Sequence, residues 1–383
     1  MTSDGTIYNS NGAGHACGYS SRQAYLAGGG TPDTQGFTVY PSFPQVLTYD
    51  GTCLVGAFKI VDCTIEGNCW ASNQSPSSES YAYAPSITKI NGEYHTFFCS
   101  TGNSGPDTGM GWDAISYTHS TDGVHWSTPI RKLTASASAS RTRDLSACDP
   151  AIVYYQGQYY LFYSSAYISP NGNTLTNIQV ARSSTIDGTY LTYTDQGTWE
   201  LSPSNPKMII RPLSDIPNSY GAGQPTVVAF NGRLRMWYTD TTADLTNWGY
   251  HNYMLDSVDP VTWEPSTSAE TDAEASDVDV KLDTKANQFV MYTVTSTLNS
   301  QTVNIQIARS IDGLHWTPPL SANVPSFPVN YYADNIGASS DEEGHVIPGD
   351  PVLIGFNAPY KLSSTLPGLY WGQWNLYGVF LTP

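Results

Sequence analysis

The chain has 383 residues with 33 Asp and Glu against 16 Lys and Arg, a formal net charge of −17, and such a surface repels nucleic-acid phosphates and anionic membranes alike. No apolar run approaches the ~20 residues that a membrane-spanning helix needs. Charged residues make up 13% and aromatics another 13%, with 27 Tyr and 10 Trp, so the surface is built from hydroxyls, amides and rings, a composition that suits sugars because their CH faces stack on aromatic rings.

Residues 1–43 read as an N-terminal extension and residues 44–383 as one domain. Four of the six cysteines, Cys17, Cys53, Cys63 and Cys69, fall in the first fifth of the chain. Paired Cys-x-x-Cys spacings of the kind zinc favours are absent, so the even count points to disulfides in an exported protein, secreted or periplasmic. Cys63 and Cys69 are placed to close one small loop; Cys99 and Cys148 either pair or stay as buried thiols.

Beyond Ser80 the sequence repeats. Ala84–Phe98, Asp149–Tyr163, Gln224–Tyr238 and Asp277–Tyr292 each run through a small or polar residue, an alternating strand, a turn with Gly or Asn, and a second aromatic-rich strand. A third strand then ends in a Ser-x-Asp turn ahead of Trp, as at Ser120 to Trp126, Ser257 to Trp263 and Ser310 to Trp316, with a looser copy at Ser183 to Gly188. Asp and Gly set these turns, and each Trp anchors the next strand between neighbouring sheets. A degenerate fifth copy runs from Asp334 and closes with Trp374 to Phe380. Helix signals are scarce. The expectation is an all-β chain folded as a five-bladed β-propeller, with six blades as the alternative, whose fifth blade takes a strand from residues 44–62 so that N- and C-terminal segments close the ring.

In a propeller the first strands start around the axis on one face. The ring expected there holds Ala84, Asp149, Gln224, Asp277 and Asp334. Carboxylates converging on a neutral, aromatic-lined cleft are what glycosidic cleavage requires, one protonating the leaving oxygen and another activating water or attacking the sugar. Of the neighbours Asp277 and Asp279, the one nearer the strand start reaches the axis. Asp240, at the end of a second strand, emerges on the same face. Glu342 and Glu343 fall in a turn at the opposite end. Trp112, Asp113, Tyr167, Trp248 and Trp371 lie on segments that open on the ring face and offer sugar subsites, and Arg143 is within reach of a sugar hydroxyl.

Tyr83-Ala84-Pro85 with the Asn91-Gly92-Glu93-Tyr94 turn, Asp149-Pro150-Ala-Ile-Val with Gly157 to Ser164, and the Ser-x-Asp-Gly-x-His-Trp turns resemble the five-bladed β-propeller glycoside hydrolases, above all family 43 and its arabinofuranosidase, xylosidase and arabinanase relatives. The resemblance implies an Asp base, a second Asp that tunes and orients the acid, and a Glu acid, on first strands of different blades. Asp149 matches the second Asp. Gln224, in Gly221-Ala-Gly-Gln-Pro225, stands where the Glu acid belongs, and an amide cannot donate a catalytic proton. The base has no matching Asp-Pro in the N-terminal part, so Asp334 takes that place on ring geometry and Asp240 is the candidate for a relocated acid. The implied function is a monomeric, exported hydrolase of pentose-containing polysaccharide. Alternatives are a carbohydrate-binding propeller without catalysis, favoured by Gln224, and a phosphorylase, which so few basic residues serve poorly. No cofactor is required; an acidic pore leaves room for a structural calcium, although no Asp-x-Asp-x-Asp-Gly loop is present.

Overall fold

The alternation of the repeated hairpins becomes strand almost throughout the computed structural model. It describes residues 58–65, 67–69, 80–102, 113–135, 144–242, 251–273, 277–296, 303–324, 333–359 and 374–381, with the backbone of residues 7–10, 15–19 and 48–52. Near the N-terminus, β1 (Ile7–Ser10), β2 (His15–Tyr19) and β3 (Thr48–Thr52) form a small sheet of their own, and β4 (Phe58–Val61) leaves it for the main body.

Four blades follow in chain order. The first comprises β5 (Ala82–Ile90), β6 (Glu93–Thr101), β7 (Asp113–Ser120) and β8 (Ile130–Thr134). The second comprises β9 (Cys148–Tyr155), β10 (Gln158–Ile168), β11 (Thr174–Ser183), β12 (Leu191–Tyr193) and β13 (Trp199–Glu200). The third is β14 (Ala222–Phe230), β15 (Arg233–Asp240), β16 (His251–Ser257) and β17 (Ala269–Glu270). The fourth is β18 (Asp279–Asp283), β19 (Gln288–Ser296), β20 (Val303–Ser310) and β21 (Leu320–Val324). The fifth runs β22 (Asp334–Ala338), β23 (Val352–Pro359), β24 (Trp374–Leu381), and takes β4 as its outermost strand, antiparallel to β24. Each first strand touches the first strand of the next blade, and β22 returns to β5. The chain is therefore a five-bladed β-propeller closed by its N- and C-terminal segments, as the repeat predicts.

Apolar side chains that alternate along the strands fill the gaps between blades. Between the second and third blades, Phe162, Ile178, Met236, Tyr238, Tyr253 and Leu255 pack around Trp263, each large side chain contributing about 1.5–3 kcal/mol on full burial. The Ser-x-Asp turns brace these gaps. The Asp122 carboxylate accepts the amides of Val124 and His125, both at 2.8 Å, and Trp126 Nε1 donates to the Gly123 carbonyl at 3.0 Å. Burial would raise the Asp122 carboxyl, but these bonds outweigh it and hold it down to about 2.

The far end of the axis is crossed by the turn after β22. The amide of Lys89 donates to the Ser340 carbonyl, Tyr154 to Glu342, Ala229 to Glu343 and Leu282 to Gly344. Four blades thus share one turn, and Tyr159 donates its hydroxyl to the Glu342 carboxylate at 2.8 Å. Glu342 and Glu343 lie opposite the ring, as expected, and their main chain pins the channel.

Candidate active site at the propeller axis

Every blade begins with the same irregularity. Ala84, Asp149, Gln224, Asp277 and Asn335 all have positive φ, between 41° and 54°. In blades one, two, three and five the strand pairing shifts register there, so the residue is an extra one, displaced from the ladder. Pro85, Pro150 and Pro225 follow the first three and fix the exit direction. A left-handed conformation in a non-glycine residue costs of order 1 kcal/mol or more. Because Ala84 shares it, the conformation belongs to the architecture; chemistry enters through the side chains it turns toward the axis. The five residues line one cavity of about 30 Å³, with Ser86, Ile152, Thr226, Asp279 and Lys281 beneath them. A space of that size holds about one water, so a sugar ring would rest over the mouth.

The fifth ring position corrects the sequence reading: it is Asn335, not Asp334. The pairing shift lies between Asp334 and Ile336, which makes Asn335 the extra residue, and no proline marks the place. The side chain of Asp334 is outside the described residues. The ring therefore carries two carboxylates, two amides and one methyl.

Asp277 sits between the amides. Its Oδ1 accepts Gln224 Nε2 from the third blade and Asn335 Nδ2 from the fifth, the latter at 2.7 Å. Two donors on one oxygen favour the ionised form. With its nitrogen committed, Gln224 presents a buried Oε1 that has no hydrogen-bond partner among the described residues. Asp279 lies deeper and is fully engaged: Lys281 Nζ (2.9 Å) and Thr226 Oγ1 (2.8 Å) donate to one oxygen, and the Ala338 amide (2.6 Å) to the other.

Asp149 is held from the other side. Tyr220 Oη donates to Asp149 Oδ2 at 2.8 Å and lies 3.3 Å from Ser164 Oγ, which accepts the Gln224 backbone N–H at 2.9 Å. Burial, and then the Asp149 charge, push the Tyr220 hydroxyl well above its usual range, so it stays a donor. The local sequence makes room for it. A Cβ on Gly223 would stand 2.5 Å from Tyr220 Oη, and one on Gly221, whose φ is +102°, 2.6 Å from the Thr176 backbone. Cys148, the residue before Asp149, forms a disulfide with Cys99 of β6 and so ties the start of β9 to the first blade; Cys63 and Cys69 form the other disulfide among the fully described residues. Tyr83 packs edge-on to Trp374 and its hydroxyl lies 2.8 Å from Cys148 Sγ.

The remaining candidates separate. Asp240 does not line the cavity: it is fully buried, and its carboxylate accepts the Leu213 and Thr242 amides at 2.9 and 2.8 Å and the Thr242 hydroxyl at 2.6 Å. That fixes the approach to β14. Asp113, at the start of β7, is buried and accepts the Tyr81 hydroxyl. Tyr167 is mostly buried on β10, away from the ring cavity. Trp112, Arg143, Trp248 and Trp371 lie outside the described residues.

Among the described residues nothing fits a calcium ion at the axis, since Asp279 is neutralised by Lys281 and Asp277 is taken by amide donors. Among the described residues the one close group of metal-type side chains is Cys99, Asp113 and Cys148, whose two sulfurs are bonded to each other. Tyr220, which the sequence reading missed, had a signal: glycines at 221 and 223 make sense where a side chain must lie across the strand start.

No protein-family model and no curated protein matches the sequence. Solved structures do resemble it. An N-acetylgalactosamine deacetylase from F. plautii, in complex with blood group B trisaccharide, superposes with a TM-score of 0.55 at 14% identity, over 85% of this chain and 94% of its own. The α-L-arabinofuranosidase of Podospora anserina, in complex with cellotriose, gives 0.53 at 11% identity, over 82% and 94%. A thermostable family-43 glycoside hydrolase gives 0.51 at 11% identity, over 78% and 89%. What the chain shares with these sugar-active proteins, over most of the length of each, is the five-bladed propeller fold.

Proposed function

We propose that the axial ring is the active site of an exported glycoside hydrolase, with Asp149 and Asp277 as its working carboxylates and a neutral, pentose-containing polysaccharide as substrate. The observation that carries this reading is the pairing itself. Two carboxylates share one solvent-facing mouth, one fixed by two amide N–H donors and the other by a tyrosine hydroxyl.

The roles follow from the partners. Asp277, bonded through its charged form, serves as the base or nucleophile toward the anomeric carbon. Asp149, set among buried tyrosines and a disulfide, carries the proton to the glycosidic oxygen as the bond to the anomeric carbon breaks. Water then supplies the hydroxyl at that carbon, and its other proton returns the pair to its starting state. Gln224 holds Asp277 in place by donating to it through Nε2.

A pentose substrate is supported by the family resemblance and by the arabinofuranosidase fold likeness, and export by the two disulfides. The second reading, a propeller that binds sugar without cleaving it, is favoured by the amide at Gln224. Reducing-sugar release across arabinan, xylan, arabinoxylan, fructan and mannan separates the two. Hydrolysis of a pentosan supports the proposal; release from none of them, with binding retained, sinks it in favour of the second.

A further inference from the structure

Because the blades repeat, equivalent positions in successive gaps can be matched by strand register. In β15 and β16, Met236 pairs with Leu255 and Tyr238 with Tyr253, in register with Leu234 opposite Ser257. In β19 and β20 the same register, Phe289 opposite Ser310, pairs Met291 with Ala308 and Thr293 with Gln306. The third blade thus fills its face with Leu and two Tyr, all buried around Trp263. The fourth has Ala, Thr and Gln at the same places around Trp316. What remains is a cavity of about 340 Å³ between the third and fourth blades, walled by Met291, Thr293, Gln306, Ala308, Trp316 and Pro318 and rimmed by Asp272. It lies beside the turn at Ser310 to Trp316, at the end of the blade opposite the ring, and its rim at Asp272, Thr317, Pro318 and Pro319 is exposed.

Trp316 also departs from the pattern. Trp126 and Trp263 donate their indole N–H to the carbonyl of their own turn, at Gly123 (3.0 Å) and Pro260 (2.9 Å). The corresponding carbonyl of Gly313 is taken by Trp237 Nε1 at 2.9 Å, and Trp316 Nε1 has no acceptor among the described residues. The ring is therefore not tied to its own turn, and it forms a wall of the cavity.

We infer that this cavity is a second carbohydrate site, distinct from the axial ring, that takes one residue of a neutral polysaccharide chain. The volume falls in the range of small-molecule pockets. Trp316, Met291 and Pro318 offer apolar surface to a sugar CH face. Thr293, the Gln306 amide and the Asp272 carboxylate, which already accepts the Trp316 backbone N–H at 2.8 Å, answer hydroxyls. The carboxylate disfavours uronic acids. A site far from the mouth would hold a polymer on the enzyme without occupying its active site. The inference rests on the reading of the chain as carbohydrate-active, not on its being a hydrolase.

The test restores to the fourth blade a residue the third already carries. Wild type, Gln306→Tyr, Trp316→Ala and Asp149→Asn are run in native gels containing arabinan, xylan, arabinoxylan, mannan or fructan, with melting temperature as the check on folding. At least one polysaccharide is expected to retard wild type and Asp149→Asn alike, and the retardation should weaken at least tenfold in Gln306→Tyr at an unchanged or raised melting temperature, and in Trp316→Ala. Retardation that survives Gln306→Tyr in a folded protein overturns the inference, as does the absence of retardation by all five polymers. Absence of hydrolysis by wild type, with gel retardation still sensitive to Gln306→Tyr, would instead count against the active-site proposal alone.

Discussion

Removing one oxygen tests how Asp149 is held. Tyr220→Phe keeps the half-buried ring in its slot above Gly223 and deletes the hydroxyl that donates to Asp149 Oδ2 at 2.8 Å. A hydrogen bond to a charged group contributes about 1.5–3 kcal/mol, which at 1.36 kcal/mol per decade is roughly a 10- to 150-fold loss in kcat/KM. Tyr220 is a positioning residue, so the loss should fall on kcat with little change in KM. Losing a donor to the ionised form of the general acid should also move the alkaline limb of the pH–rate profile to higher pH. The assay is steady-state hydrolysis of the best polysaccharide or its oligosaccharide, pH 3 to 9, with the melting temperature recorded alongside. An unchanged kcat and an unchanged alkaline limb in a folded variant would refute the assignment of Asp149 to the chemistry through this contact.

Gln224→Glu would replace the Nε2 donor to Asp277 with a second carboxyl; like charges then compete for one proton, and activity near neutral pH should fall. A rise of ~10²-fold or more, as a new general acid would give, would mean that the natural ring lacks its acid. Gly337→Ala would put a Cβ 2.0 Å from the Pro85 carbonyl, at the seam between the fifth and first blades. Backbone cannot yield there, so denaturant unfolding should show a loss of at least the ~1–3 kcal/mol typical of overpacking, and an unaffected midpoint would contradict the close approach. Asp122 is held down to about 2 and Asp341 is also lowered, in each case because hydrogen bonds outweigh burial. Their stabilisation is complete above the unfolded carboxyl range near ~4 and is lost as pH falls through it toward 2. Asp122→Asn should flatten that part of the stability–pH curve and leave the curve above pH 5 with the same slope.

The repeat was legible because its markers are covalent and local: alternation, Asn-Gly and Gln-Gly turns, and Ser-x-Asp ahead of Trp, each fixed by backbone geometry that few residues supply. The ring could be read where proline follows it, at Ala84, Asp149 and Gln224, and at Asp277 by its place at the strand start. It was misread by one residue in the fifth blade, because a register shift without a proline leaves no trace in composition, and Asp334 looked a better acid than Asn335 looked an amide. Asp240 emerges on the expected face by strand count, but whether a carboxylate meets solvent or a loop amide depends on where Leu213 and Thr242 fold, which no spacing records. The turn across the axis was recognised as lying opposite the ring, yet its four main-chain bonds to other blades involve no side-chain pattern at all. The empty gap in the fourth blade could have been read by aligning the repeats, since Tyr238, Tyr253 and Leu255 become Thr293, Gln306 and Ala308.

Asp277 is the ring carboxylate that both neighbouring blades hold, by amide donors to one oxygen. The decisive measurement is kcat/KM of Asp277→Asn on the polysaccharide that wild type cleaves best, with oligosaccharide affinity and melting temperature measured on the same protein. A fall of ~10²–10⁴-fold or more is expected, with binding and fold retained. Activity within tenfold of wild type would contradict it, because a carboxylate that works at the axis cannot be replaced by its amide.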